Sequence, residues 1–199
     1  SIERLQSTRI ENREARRHIE TAVRASRKMK LFLRDAKRQL SDKKTKKQFD
    51  ASFEIKGVIK LLRSIARKSN VKIKFRPILA VFLWGDQGKF FRVVANLVSN
   101  AVDSYVSFPS NQNKLVIIRI KSDRKTVRLS VRDFGCGIPK HLHKTIFEPF
   151  YTTKQKHEGV AGLGLSIVKN IIENDFSGKI KVESVPGRGT VFTIIIPKN

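Results

Sequence analysis

Asn96-Leu97-Val98-Ser99-Asn100-Ala101-Val102-Asp103 is the stretch whose reading decides the fold. Two carboxamides stand four residues apart in an otherwise apolar run. In an α-helix, residues i and i+4 stack on one face, one turn apart. Val93, Val94, Leu97, Val98 and Ala101 make the other face apolar, and that face demands a core. A helix that buries one side and presents paired amides on the other is suited to line a ligand cavity. Asn is equally at home where a side chain caps a helix or satisfies turn backbone, so the two amides alone leave both readings open.

Outward from this stretch, periodicity predicts one helix from about Gln87 to Val106, preceded by a strand from Ile78 to Trp84 that Gly85-Asp86 ends. Earlier, Phe49 opens a short strand, Ile55 to Lys68 has the spacing of an amphipathic helix, and Val71 to Arg76 alternates apolar and basic residues as a half-exposed strand does. Later, Lys114 to Lys121 and Thr126 to Arg132 read as strands joined near Asp123. A looser region from Phe134 to Gly164 leads to a helix over Ser166 to Asn174. Strands Lys179 to Glu183 and Thr190 to Ile196 close the chain around Val185-Pro186-Gly187-Arg188-Gly189. The order is that of an α+β domain. At the N-terminus, Ala15, Ile19, Ala22, Ser26, Met29, Leu33, Ala36 and Leu40 alternate spacings of four and three, the seam of a bundle helix that needs a partner. Ser41 to Thr45 breaks that pattern, which divides the chain into a helical segment, 1–45, and a second domain, 46–199. The chain starts at Ser1 inside a helical pattern, as a piece of a longer protein would.

Forty per cent hydrophobic residues among 199 are enough for a true core. A formal net charge of +25 raises nucleic acid, anionic membrane and polyanionic ligands as partners. The basic residues before Pro77 are mixed with Glu11, Glu14, Glu20 and Asp35, which reads first as a solvated helix face and makes nucleic acid the minor option. One cysteine, Cys136, allows neither an internal disulfide nor a multi-cysteine zinc site. No apolar run approaches membrane-span length.

Four further motifs carry chemistry. Asp133-Phe134-Gly135-Cys136-Gly137 ends a strand, and its glycines permit a sharp turn and close approach to a ligand. A carboxylate fixed there can accept a hydrogen bond from an amino group such as that of adenine. A plain hairpin turn is the alternative. Asp-Phe-Gly also occurs in eukaryotic-type protein kinases, but no His-Arg-Asp loop or Val-Ala-Ile-Lys strand accompanies it here. Phe147-Glu148-Pro149-Phe150-Tyr151-Thr152-Thr153-Lys154 sets aromatic anchors beside hydroxyls and a cation that can meet phosphate. Gly159, Gly162 and Gly164 then lead into a helix, whose N-terminal N–H groups favour an anion. The spacing is neither that of a dinucleotide fingerprint nor that of a P-loop. Gly187-Arg188-Gly189-Thr190 sets a hydroxyl where it could join the Asp133 network.

Taken in order, Asn96 to Asn100, Asp133-x-Gly-x-Gly, Phe147-Glu148-Pro149-Phe150, Gly162-Leu163-Gly164-Leu165 and Gly187-x-Gly-Thr190 resemble the catalytic ATP-binding domain of bacterial sensor histidine kinases. That superfamily, called GHKL, also includes gyrase, mismatch-repair ATPases and a heat-shock chaperone. The resemblance covers about Phe49 to Pro197, and its wording is most similar to the nitrogen-regulation and oxygen-sensing branch. It implies a two-layer α/β sandwich of the Bergerat type behind an N-terminal bundle helix. It also implies ATP and Mg²⁺ as cofactors, with Asn100 a Mg²⁺ ligand and Asn96 its support. Asp133 would take the adenine amino group, with Gly135, Gly137 and Thr190 in the same network. Residues from about Lys140 to Val160 would form a lid, Gly162, Leu163 and Gly164 would face the phosphates, and Lys154 would contact the γ-phosphate. Implied partners are a phosphoacceptor histidine domain, a response-regulator receiver domain and a second copy of the full-length protein, in a cytoplasmic setting, with a membrane anchor on the full-length protein left open.

Position 96 discriminates within this superfamily. Its ATPase branches, and the mitochondrial protein kinases of the same superfamily, carry Glu there, where a carboxylate can activate a nucleophile; Asn96 cannot act as a base, which favours a kinase that hands phosphate to an external histidine over hydrolysis. Two departures stand out. Val160 and Ala161 replace the small residue and Thr that many relatives place before Gly162. His18 lacks the acidic residue and Pro that follow the reactive histidine in the family, so the acceptor is expected upstream of Ser1. A degenerate scaffold of the same fold and a hydrolytic ATPase are the alternatives.

Overall fold

The computed structural model describes residues 46–77, 79–105, 114–152 and 162–198. The expected bundle helix with His18, and Lys154 with Gly159 to Ala161, lie outside the described residues. Thr152 apart, the described residues belong to one compact unit, Lys44–Tyr151 with Gly162–Asn199.

Strand β1 (Lys46–Asp50) runs straight into helix α1 (Ala51–Lys68), and β3 (Phe82–Asp86) runs straight into α2 (Gln87–Asp103). Each junction is made by one aspartate that ends a strand and caps a helix. The Asp50 carboxylate accepts from the Ser52 N–H at 2.8 Å, and that of Asp86 from the Lys89 N–H at 3.0 Å. Such a cap satisfies an otherwise orphaned donor and contributes about 1 kcal/mol. β1 and β3 form an antiparallel ribbon in which Asp50 faces Phe82. That pairing explains why β3 starts at Phe82 and not at Ile78: beyond Asp50 the partner strand has become helix α1 and offers no ladder.

A five-stranded sheet lies beneath the helices in the order β2-β4-β5-β7-β6. Its strands are β2 (Lys72–Phe75), β4 (Leu115–Ser122), β5 (Thr126–Arg132), β6 (Lys179–Val185) and β7 (Gly189–Pro197). Only β2 and β4 pair in parallel; the other neighbours are antiparallel. One face of the sheet presents Val116, Ile118, Val127, Leu129, Val131, Phe192, Ile194 and Ile196, all buried, toward the helices. Helix α2 supplies the opposite half of the core. Its Phe90, Val93, Val94, Leu97 and Val98 are fully buried and Ala101 nearly so, as the apolar stripe requires. The Phe90 ring lies 5.5 Å from that of Phe49 and 6.2 Å from that of Phe176, joining the β1–β3 ribbon to the C-terminal half.

Helix α3 (Gly164–Asn170) begins two residues before the predicted start and passes into a single π turn, Ile171–Asp175. Helix α2 stops at Asp103 because Ser104 and Tyr105 turn inward to hydrogen-bond partners far along the chain, described below. Truncating Phe90 to alanine removes the ring that both of these aromatic contacts share. Chemical denaturation should show a loss of about 3–5 kcal/mol, and a loss below about 1 kcal/mol would mean the ribbon is not held through this ring.

Candidate functional site

Asn96, Asn100 and Ser104 follow one another at i, i+4 and i+8 along α2 and its C-cap, all half-buried, on the side away from the fully buried Val and Leu residues. At 1.5 Å per residue the line is about 12 Å long. Each end meets another of the motifs. At the first end, a Cβ built on Gly164 would stand 3.3 Å from Asn96 Oδ1, so the start of α3 approaches the carboxamide as closely as a glycine allows. At the other end, Ser104 Oγ lies 3.1 Å from Asp133 Oδ1 and 2.9 Å from the Ala101 carbonyl.

Asp133 follows β5 and is 3% exposed. Its Oδ1 also accepts from the Gly135 N–H at 2.9 Å, and its own N–H donates to the Thr190 carbonyl at 2.9 Å. Burial pushes its carboxyl above the ordinary range, and the hydrogen bonds from Gly135, Ser104 and the Thr190 backbone offset this only in part. A carboxylate kept dry and held by donors on one oxygen has acceptor capacity left for an amino group.

The residues that hold this turn are ones the motif reading passed over. Tyr105, 2% exposed, accepts from the Phe134 N–H at 2.8 Å and the Leu115 N–H at 3.2 Å, and donates to the Leu115 carbonyl at 2.8 Å. Burial raises its hydroxyl pKa despite the two backbone donors, with a smaller push from Asp133, so it remains protonated. Ser184 accepts from the Ile138 N–H at 2.8 Å and lies 2.9 Å from both the Gly189 carbonyl and Thr190 Oγ1. The Thr190 hydroxyl thus pairs with Ser184, and Thr190 reaches Asp133 through its backbone, a correction to the expected side-chain link.

The glycines serve packing as much as ligand approach. A Cβ at Gly135 would overlap Ser104 Oγ, and one at Gly137, whose φ is +68°, would overlap the Val185 carbonyl. Gly162, φ +91°, lies against the Phe150 backbone in the same manner. Leu163 precedes α3 and is half-buried, and its carbonyl accepts from Ser166 Oγ at 3.0 Å. Within the expected lid, the first half is anchored: Ile146 is buried, and the Phe147 ring meets Phe192 edge-on at 6.3 Å. An open groove lined by Phe82, Trp84, Asp175, Phe176 and Pro197 shares no residue with this site.

The arrangement is a buried carboxyl at one end, a glycine-lined helix start at the other, and two carboxamides and a hydroxyl between, on a fold of the GHKL ATPase class. Residues 85–199 match the family described as Histidine kinase-, DNA gyrase B-, and HSP90-like ATPase, and the chain belongs to that family. Sporulation kinase A of Bacillus subtilis (strain 168) is 42% identical over 119 residues, which are 60% of this chain and 18% of that kinase. The chain therefore spans less than a fifth of that relative's length. The nucleotide-free catalytic domain of the histidine kinase ThkA superposes with a TM-score of 0.66 at 33% identity, covering 77% of this chain and 95% of that domain. ThkA in complex with the response regulator protein TrrA gives a TM-score of 0.64 at 28% identity, over 87% of this chain and 49% of that one. The ATP-binding domain is thus of the histidine-kinase type.

Two outcomes test the hydrogen-bond network. Tyr105→Phe strands the Phe134 and Leu115 backbone groups, and should cost about 2–3 kcal/mol of stability; no change in the denaturation midpoint would contradict the network. Asp133 has a raised folded pKa, so its favourable contribution is present below the unfolded carboxylate pKa and is lost as pH rises through the folded value. Asp133→Asn removes that loss. Without nucleotide, the variant should melt above the wild type near neutral pH, and the gap should close as pH falls toward the ordinary carboxylate range. A gap independent of pH would contradict the assignment.

Proposed function

We propose that this domain binds Mg·ATP along the Asn96–Asn100–Ser104 line and transfers the γ-phosphate to a histidine of a helical phosphoacceptor domain, for relay to a response-regulator aspartate. The observation that carries the proposal is the pair of junctions at the ends of that line, Asp133 on Ser104 and Gly164 on Asn96. The residues suit such a ligand. The buried Asp133 has an acceptor left for the adenine amino group, and a side chain at 164 would fill the space beside Asn96 that phosphate needs. Among the described residues no group of three or more His, Cys, Asp or Glu could hold a metal ion. Mg²⁺ is typically held by one or two protein ligands together with substrate phosphates. Asn100 is the assigned protein ligand, and the ion supplies charge neutralisation on the phosphates.

The chain's own part is positioning. Asp133 selects the base, Tyr105, Ser104 and Ser184 keep its turn fixed, and Asn96 lies beside the start of α3 without a carboxylate to activate water. This favours transfer to an external histidine over hydrolysis. Lys154 is assigned the γ-phosphate and lies outside the described residues. The complex of ThkA with TrrA supports a receiver domain as the downstream partner. The proposed setting is cytoplasmic, where ATP is available, with the full-length protein acting as a homodimer.

Calorimetric titration of ATP with and without Mg²⁺ tests this directly. Binding should strengthen with Mg²⁺, and Asn100→Ala should abolish most of that gain. Asp133→Asn should weaken ATP by about ten- to a hundredfold, although it stabilises the free domain. No binding at about millimolar ATP, the upper end of usual substrate levels, would overturn the proposal.

A further inference from the structure

The sheet face turned away from the helices has a composition that nucleotide binding does not require. The strand registers set Lys72 and Lys74 of β2, Arg119 and Lys121 of β4, Arg128 and Arg132 of β5, and Lys179 and Lys181 of β6 on that one face, all exposed. The acidic residue among these strands on this face is Glu183. Lys121 stands directly opposite Arg128 across the β4–β5 ladder, an arrangement of like charges that destabilises a sheet. Solubility alone does not call for charges of one sign gathered on a single sheet face, whereas such a field attracts a partner of opposite sign. With strands about 4.8 Å apart, five of them span about 20 Å, and neighbouring cations lie within a Debye length of about 10 Å and reinforce one another.

We infer that this face docks the domain on an anionic lipid bilayer. The surroundings of the cations favour that occupant over other polyanions. Half-buried Ile117, Val191 and Ile195 lie between the cations in the same registers, and long basic side chains can extend past such aliphatic rows toward headgroups. Phe134, at the edge, already has the Arg132 guanidinium 4.7 Å above its ring. The strands put no aromatic residue on this face, so it lacks the stacking platform a single strand needs. Among the described residues, no helix or ribbon projects from these strands to enter a duplex groove. A bilayer asks only for a broad area of positive charge, each basic residue adding to the attraction. Because Asn96, Asn100 and Asp133 lie on the helix side, a domain held this way keeps its nucleotide site open.

Cosedimentation of the full chain with phosphatidylglycerol vesicles, neutral phosphatidylcholine vesicles and a duplex DNA oligonucleotide distinguishes the sources. Binding is expected to the anionic vesicles at low salt, to fall steeply with added salt, and to be absent on phosphatidylcholine. The variant R119E/K121E/R128E/K181E should lose at least about tenfold in vesicle affinity with ATP affinity unchanged, which also establishes that it folds. A second variant with glutamine at the same positions should show a smaller loss in the same direction. Unchanged vesicle binding by the charge-reversed chain would assign the attraction to the basic 1–45 segment and overturn the proposal. Failure to bind anionic vesicles, or tighter binding to the DNA, would overturn it equally.

Discussion

The hydrogen bond between Ser104 and Asp133 joins the end of the central helix to the end of the central strand, and the rest of the site depends on it. Asp133 is buried, where a charge is costly, and the Ser104 and Gly135 donors hold it in one orientation. The residue after the α2 C-cap, Tyr105, binds the backbone at the start of β4 and just past the end of β5. Helix and sheet therefore cannot shift relative to each other without stranding polar groups in the core. That rigidity is what a nucleotide site needs, because phosphoryl transfer depends chiefly on positioning and electrostatics. Its cost is a carboxyl whose burial disfavours the charged form, a local loss of stability retained at a site that binds.

Helix α2 was legible because two signals agreed: the apolar stripe Val93, Val94, Leu97, Val98 and Ala101, and two amides at the one spacing that stacks them. The alternation of Val127, Leu129 and Val131 with Arg128, Ser130 and Arg132 identified β5 in the same way. Ser104, Tyr105 and Ser184 were not legible. Each acts across a fold-level separation, Ser104 to Asp133 across 29 positions and Ser184 to Ile138 across 46, and a lone hydroxyl in a turn has no period to reveal it. The start of β3 was misjudged for a related reason. Leu79 has strand-like composition, but a strand exists only where a partner runs beside it, and β1 ends at Asp50.

The glycines carry a further lesson. Gly135 and Gly137 read in the sequence as room for a ligand, yet the space a side chain would take there is filled by Ser104 and Val185 of the chain itself. Gly164 is the one beside the Asn96 amide. The two faces of the sheet likewise divide their tasks. One packs the helices that form the nucleotide site, and the other concentrates cations away from it. Much of the domain's excess positive charge is thereby separated from the phosphate chemistry.

The central claim is that one polar line on α2, bounded by Asp133 and Gly164, is the nucleotide cradle. Amide chemical-shift mapping of the isotope-labelled chain with a non-hydrolysable ATP analogue and Mg²⁺ tests it most directly. The account predicts perturbations concentrated at 96–104, 133–137 and 162–165. Perturbations centred on the groove at Phe82, Trp84 and Phe176, with residues 96–104 unmoved, would contradict it.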